Sequence, residues 1–178
     1  MDHARIVKYI DFKEQAMMIK NGTEIPVAYI VQELITGGEL YEYVANTGRF
    51  REEIVRFYSR QLLQGVIHMH MKGFSHRDLK CGNVLLDADY NLKICDMGFA
   101  SHVSGTNRSG WNQTYVGTLG HMSPQILERT AYKGVEADLF SLGVIIFILY
   151  VGYPPFDMAV PSDKYYRQIY DNNAKAFW

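Results

Sequence analysis

The run Phe74-Ser75-His76-Arg77-Asp78-Leu79-Lys80-Cys81-Gly82-Asn83-Val84-Leu85-Leu86 constrains this chain more than any other stretch. A carboxylate stands between two cations, an amide follows five residues on, and an apolar triplet closes the run. Val84-Leu85-Leu86 and Leu92-Lys93-Ile94-Cys95 read as two strands joined by the polar turn Asp87-Ala88-Asp89-Tyr90-Asn91. Such a hairpin returns a second carboxylate, Asp96, to the side of the first loop. Asp78, Lys80, Asn83 and Asp96 then form a set suited to a hard divalent cation and a phosphate. Carboxylate and amide oxygens hold Mg²⁺, and the lysine neutralises phosphate charge.

The order H-R-D-L-K-x-x-N followed by D-M-G resembles the catalytic and metal-binding loops of the eukaryotic protein kinase family. The lysine two residues after Asp78 matches the Ser/Thr type, and the look is nearest the calcium/calmodulin-dependent-like group. The resemblance covers nearly all 178 residues. It implies an α+β, protein kinase-like fold, mostly the helical large lobe plus the hinge and last strands of the small lobe. Residues 1–34 would be the partial small lobe. Residues 35–178 would be the large lobe with hinge, catalytic loop and activation segment, incomplete at its C-terminal end. The implied reaction moves the γ-phosphoryl of ATP, with Mg²⁺, to a Ser or Thr hydroxyl of a protein substrate.

Carried over residue by residue, the resemblance assigns roles. Asp78 would orient the substrate hydroxyl and accept its proton, Lys80 would offset charge on the transferring phosphoryl, and Asn83 and Asp96 would hold Mg²⁺. Thr118 would tie the activation segment to Asp78 and Lys80. Gln32 would stand behind the adenine pocket, backbone groups near Glu33 and Ile35 would bond adenine, and Leu85 would pack beneath it. Glu39 would lie near the ribose or a basic substrate residue, or serve only as an acid at a helix start. Cys95 would face the nucleotide pocket, open to alkylation, or be a small buried strand residue. His76 and Met97 read as supports, Met97 replacing the usual Phe.

The remaining segments fit around these. Ile6 to Phe12 alternates like a strand, Ala16-Met17-Met18-Ile19 before Asn21-Gly22 reads as a second, and Ile25 to Leu34 continues the sheet. Within it the near-continuous apolar run Val27–Val31 suits a strand covered on both faces. From Glu52 to Lys72, Ile54, Tyr58, Leu62, Val66 and Met69 fall at helical spacing, with Gly73 after the end. Ala100 to Tyr115 is polar and without period, as expected of a mobile activation loop. There Arg77 would pair with a phosphorylated Ser104, Thr106, Ser109 or Thr114. Gly117 to Gln125 resembles the G-T-x-x-Y-x-A-P-E segment, with His121, Ser123 and Gln125 in place of Tyr, Ala and Glu. The apolar run from Asp138 to Tyr150 is too short for a membrane span and begins on a carboxylate, so a buried core helix is expected. Its Asp138 would bond the backbone of the catalytic loop. Tyr165, Tyr166, Ile169 and Tyr170 suggest a last amphipathic helix before the aromatics Phe177-Trp178.

Composition narrows the alternatives. A net charge of -1 with 21% charged residues gives no basic excess, against a nucleic-acid binder. Cys81 and Cys95 are the only cysteines, and no secretory signal precedes them, so free thiols in a reducing, cytoplasmic compartment are expected. The six histidines are scattered, and His68 and His70 point to different faces of their helix. The residues set no oligomeric state. No G-x-G-x-x-G loop, no V-A-I-K-like lysine strand and no helix with its paired glutamate occur. Two readings therefore stand: a Ser/Thr kinase, in this chain or its parent, or a catalytically silent kinase-like module.

Overall fold

The structure, a computed structural model, describes residues 2–177. It opens with a long hairpin, β1 (Tyr9–Lys20) antiparallel to β2 (Thr23–Gln32). Asn21 and Gly22 make its turn with φ of 52° and 79°, the left-handed pair that a two-residue hairpin requires. The two apolar pieces before Asn21 are thus one strand, interrupted only by register shifts at Tyr9/Asp11 and Lys13/Ala16. The expectation that Val27–Val31 is covered on both faces is overturned: Val27 and Tyr29 are half-buried and the others exposed. Apolar content alone reports that a strand favours burial, and a two-stranded ribbon brings no layer to supply it.

The rest is built on helices. α1 (Leu40–Thr47) and α2 (Glu52–Met71) precede the tiny strand β3 (Phe74–Ser75) and the hairpin of β4 (Val84–Leu86) and β5 (Leu92–Ile94). β6 (Ser101–His102) pairs back on β3, then α3 (Pro124–Leu127), α4 (Gly134–Val151), α5 (Tyr166–Tyr170) and α6 (Ala174–Phe177) complete the order. The main core joins α1, α2, the β4–β5 hairpin and α4, with Leu40, Leu62, Ile94, Ile145 and Leu149 excluded from solvent. A smaller cluster gathers Met122, Ile126, Tyr132 and Ala137.

α2 corrects one expected contact and adds another. Ile54 is exposed, and Val55 takes the inward place beside Tyr58, Leu62, Val66 and Met69. The buried Gln61 reaches out of the same stripe, its side-chain oxygen accepting from Leu92 N at 2.8 Å, so a polar side chain pins β5 to the helix. α4 is 18 residues long and, by length and composition, could cross a bilayer, so the expected shortness does not hold. Half of it is nonetheless buried within the protein, where it presents Asp138 and Ser141 as well as aliphatics. A helix apolar on all sides with functional polar groups inside is the form taken by a core scaffold.

Two later expectations are also adjusted. The segment after Ala100 is not featureless: β6, a 3-10 turn at Thr106–Arg108 and a bridge from Asn112 to Tyr132 structure it. The helix near the C-terminus is limited to Tyr166–Tyr170, and only Tyr166 is buried, with Tyr165, Ile169 and Tyr170 outside. Phe177 lies 5.9 Å from the Phe147 ring, whereas Trp178 falls outside the described residues.

Candidate active site

The site begins at β3, where the chain leaves α2 through Gly73, with φ 85°. Asp138 of α4, buried to 1% exposure, organises the loop that follows. Its Oδ2 accepts from His76 N at 2.8 Å and its Oδ1 from Arg77 N at 2.7 Å, while His70 Nε2 lies 2.8 Å from Oδ2. These bonds hold Arg77 at φ 66°, a conformation that costs a non-glycine residue about 1–3 kcal/mol and persists only where surroundings over-determine it. His76 is fully buried, with Nε2 2.9 Å from Cys95 O and Nδ1 accepting from Asp78 N. One imidazole thus ties the start of the loop to the end of β5.

Asp78, buried to 4% exposure, sits at the centre of a closed set of bonds. Oδ1 accepts from Thr118 Oγ1 at 2.7 Å, and Oδ2 from Asn83 Nδ2 at 3.1 Å. Asn83 Nδ2 also donates to Asp78 O at 2.9 Å. Lys80 Nζ lies 3.2 Å from Asp78 Oδ2 and donates to Thr118 Oγ1 at 2.9 Å. The four residues come from two segments forty positions apart, brought together by α4, whose Ser141 Oγ donates to His121 O at 2.8 Å.

Asn83 lies on the 3-10 turn Cys81–Asn83, and its carbonyl accepts from Cys95 N at 3.0 Å, so Asp96 emerges beside it. Asp96 is exposed, in the left-handed region at φ 60°, with Oδ1 accepting from Gly98 N. Among the described residues no three His, Cys, Asp or Glu side chains converge as a metal cage. The donor chemistry here instead fits Mg²⁺, which binds few protein oxygens and keeps water and phosphate ligands for the remainder. With Nδ2 turned to Asp78, the Asn83 amide retains Oδ1 for a cation, and Asp96 retains Oδ2.

The segment assigned to adenine is placed as follows. Gln32 ends β2, exposed, opposite Tyr9. Glu33 N donates to Lys8 O, and its carboxylate takes Lys93 Nζ at 2.7 Å, which is the main cause holding its pKa below the usual value. Ile35 is half-buried. Gly37 and Gly38, which the resemblance would put in the hinge, are fastened to β4 by Gly37 N to Leu86 O at 2.8 Å and Leu86 N to Gly38 O at 2.9 Å. Glu39 sits at the α1 N-cap without a side-chain cap bond and bridges to the half-buried Leu85. The Cys95 thiol is buried, and desolvation pushes it up to about 11; Cys81 rises to about 12 for the same reason. Neither is a ready nucleophile.

Several functional neighbours carry no local signature in the sequence. His70 reaches Asp138 across 68 positions, and Arg77 reaches the Phe99 carbonyl with Nε at 2.7 Å as well as Asn112 and Tyr132. Such pairs are joined only by folding; a single sequence offers no way to match them.

The protein kinase domain model matches residues 1–177. The chain is 38% identical over 153 residues to CBL-interacting serine/threonine-protein kinase 9 of Arabidopsis thaliana, covering 86% of this chain and 34% of that protein. It is 45% identical over 129 residues to CBL-interacting serine/threonine-protein kinase 13 of Arabidopsis thaliana, covering 72% and 26%. With CBL-interacting protein kinase 31 of Oryza sativa subsp. japonica it shares 42% over 129 residues, covering 72% and 29%. The chain therefore spans about a third or less of the length of these relatives. A domain-wide family match, on a fold whose Asp138-anchored loop presents Asp78, Lys80, Asn83 and Thr118 together, means that this chain belongs to the eukaryotic protein kinase family, among the serine/threonine kinases.

Proposed function

We propose that the chain carries the phosphoryl-transfer centre of a serine/threonine protein kinase acting on a protein hydroxyl. The observation that supports it most is the buried Asp78 carboxylate, within 3.2 Å of Lys80, Asn83 and Thr118. When bound, Mg-ATP supplies the electrophilic phosphorus and a cation that spreads its charge. Asp78 would orient the incoming Ser or Thr hydroxyl and accept its proton as the oxygen bonds the γ-phosphorus and the bond from that phosphorus to the β-phosphate oxygen breaks, with ADP leaving. Lys80 follows charge onto the transferring oxygens, and Thr118 keeps both side chains in register with the segment that receives the substrate backbone. Asn83 and Asp96 are the metal donors, and the Glu33–Ile35 backbone with Leu85 forms the adenine side. Since positioning and electrostatics supply nearly all catalysis in this reaction, a closed hydrogen-bond set is the appropriate apparatus.

A silent interaction module is the second reading, favoured by the lack of a G-x-G-x-x-G loop and a lysine strand within these 178 residues. Transfer of radiolabelled phosphate from ATP to a Ser/Thr protein mixture separates the two. The kinase reading expects label that falls at least 100-fold in Asp78→Asn. Equal label from both proteins, or none from either, refutes turnover by this chain. Under the kinase reading Mg-ATP also raises the melting temperature, and Asp96→Asn abolishes the rise.

A further inference from the structure

Residues 5–7 lie beside β5 as a short extra strand and carry the root of the β1–β2 hairpin. Ile6 bridges to Ile94 in parallel, Val7 N donates to Ile94 O at 2.9 Å, and Ile94 N donates to Arg5 O at 2.9 Å. Ile6 and Val7 are buried, and Gly65 of α2 permits the approach: a Cβ there would come within 3.2 Å of Arg5 O. Just ahead of this strand the His3 ring stacks on His68 of α2, with centroids 4.5 Å and planes 20° apart. His3 Nδ1 accepts from Arg5 N at 3.2 Å, which places the proton of the neutral ring on Nε2. His68 Nε2 is buried and has no hydrogen-bond partner among the described residues. Rings stacked in this way set their in-plane lone pairs side by side rather than on one ion, so the pair is not a metal clamp.

We propose that His3 and His68 form an acid-opened clip, closed while both rings are neutral, which releases residues 3–7 from α2 and β5 when His3 takes up a second ring proton. An imidazolium carries protons on both nitrogens, so that proton goes to Nδ1, where it meets the Arg5 N–H donor to donor and ends their bond. Arg5 is also the residue whose carbonyl holds Ile94, so the loss is felt at once in the added strand. A charged His68 would keep Nε2–H buried without an acceptor, and two stacked cations 4.5 Å apart repel. Around the pair, Arg5 adds positive charge, Gln64, Ile67 and Met71 of α2 add none, β5 meets the segment through the apolar Ile94, and Asp2 is exposed. His3 is half-buried beside a cavity of about 460 Å³, which gives the proton its route. Burial first, then His68 and Arg5, hold the His3 pKa below its usual 6.5. A basic group lowered in the closed form gives stability that is complete above 6.5 and lost as pH falls below it. The clip is independent of the kinase reading; what it governs is the attachment of the hairpin to the helical body.

Amide hydrogen exchange on the full chain, read by NMR and divided by the intrinsic rate at each pH, tests the clip. Between pH 7 and pH 5 the protection of the Val7 and Ile94 amides is expected to fall at least about fivefold. In His3→Asn the Oδ1 accepts from Arg5 N by the same two-residue spacing but does not titrate, so that fall disappears while the Ile145 and Leu149 amides of α4 behave as in wild type. His68→Phe keeps a stacked ring without its charge and at least halves the fall. The ¹⁵N shifts of the His3 ring, which need no variant, show Nδ1 unprotonated at pH 7 and gaining its proton as the two amides lose protection. No fall in wild type, a fall of equal size in His3→Asn, a fall undiminished in His68→Phe, or Nδ1 already protonated at pH 7 overturns the proposal.

Discussion

At the residue scale, the site depends on side chains buried at a cost that specific bonds offset. Asp138 is the clearest: a carboxylate at 1% exposure that gathers His76 N, Arg77 N and His70. His121 is the opposite case, a buried ring whose nitrogens go unpaired within the described chain. Its consequence for stability has a definite sign. The folded pKa lies near 4 against 6.5 for the free side chain, so between those values the unfolded state binds a proton that the folded state does not. Stability is complete above pH 6.5 and declines as pH falls through that window, by up to about 3 kcal/mol. His3, also lowered, chiefly by burial, adds a slope of the same sign. Urea unfolding midpoints at pH 7 and pH 4.5 measure the decline, and His121→Gln flattens most of it; an unchanged slope in that variant would remove His121 as its source.

At the element scale, the Gly37-Gly38 segment and β4 are joined by backbone alone. Gly37 N and Gly38 O bond Leu86, and the Tyr43 hydroxyl donates to Gly37 O at 2.7 Å. A Cβ on Gly37 would strike the Leu86 carbonyl and come within 2.8 Å of the Asp87 carbonyl, atoms that cannot rotate away. Gly37→Ala is expected to part that segment from β4 and to destabilise by about 1–3 kcal/mol, read from the thermal midpoint. Gly48→Ala is the comparison: nothing lies within 4 Å of a Cβ there, although φ 73° adds strain. A midpoint for Gly37→Ala no lower than for Gly48→Ala would contradict the close approach. The pairing of β4 with β5 was legible in the sequence because the turn Asp87–Asn91 is local. Asp87 Oδ1 accepts from Asp89 N and Asn91 N, a bond pattern that short polar side chains encode by themselves.

At the scale of the whole molecule, apolar surface is divided unevenly. The helical body buries Leu40, Leu62, Ile145 and Leu149 completely yet leaves Ile67 and Leu139 at 51% exposure, whereas the β1–β2 hairpin holds Ile10, Phe12 and Ile19 at 62%, 66% and 74%. Large apolar side chains left exposed along a two-stranded ribbon favour association. The double variant Phe12→Thr and Ile19→Lys is expected to raise the concentration at which light scattering first increases, with the unfolding midpoint moved by less than about 0.5 kcal/mol. An unaltered scattering threshold would place the association elsewhere.

The sequence by itself determined the family and those parts whose geometry is set by neighbours in the chain. The His76–Asn83 loop, the β4–β5 hairpin and α2 belong here, because turn chemistry and helical period act over a few residues. Only the tertiary structure decided which side of a strand or helix is covered. Val27–Val31 carries the composition of a buried strand, and Ile54 sits one position from the true inward residue, because burial is conferred by a partner element and not by the segment itself. The same reason keeps His70 apart from Asp138 along the chain, and Asp78 from Thr118, although the family resemblance had already implied the second pair. Their hydrogen bonds exist because α4 passes behind the loop, and hydrophobic packing of that helix, rather than any local motif, brings the polar groups within reach.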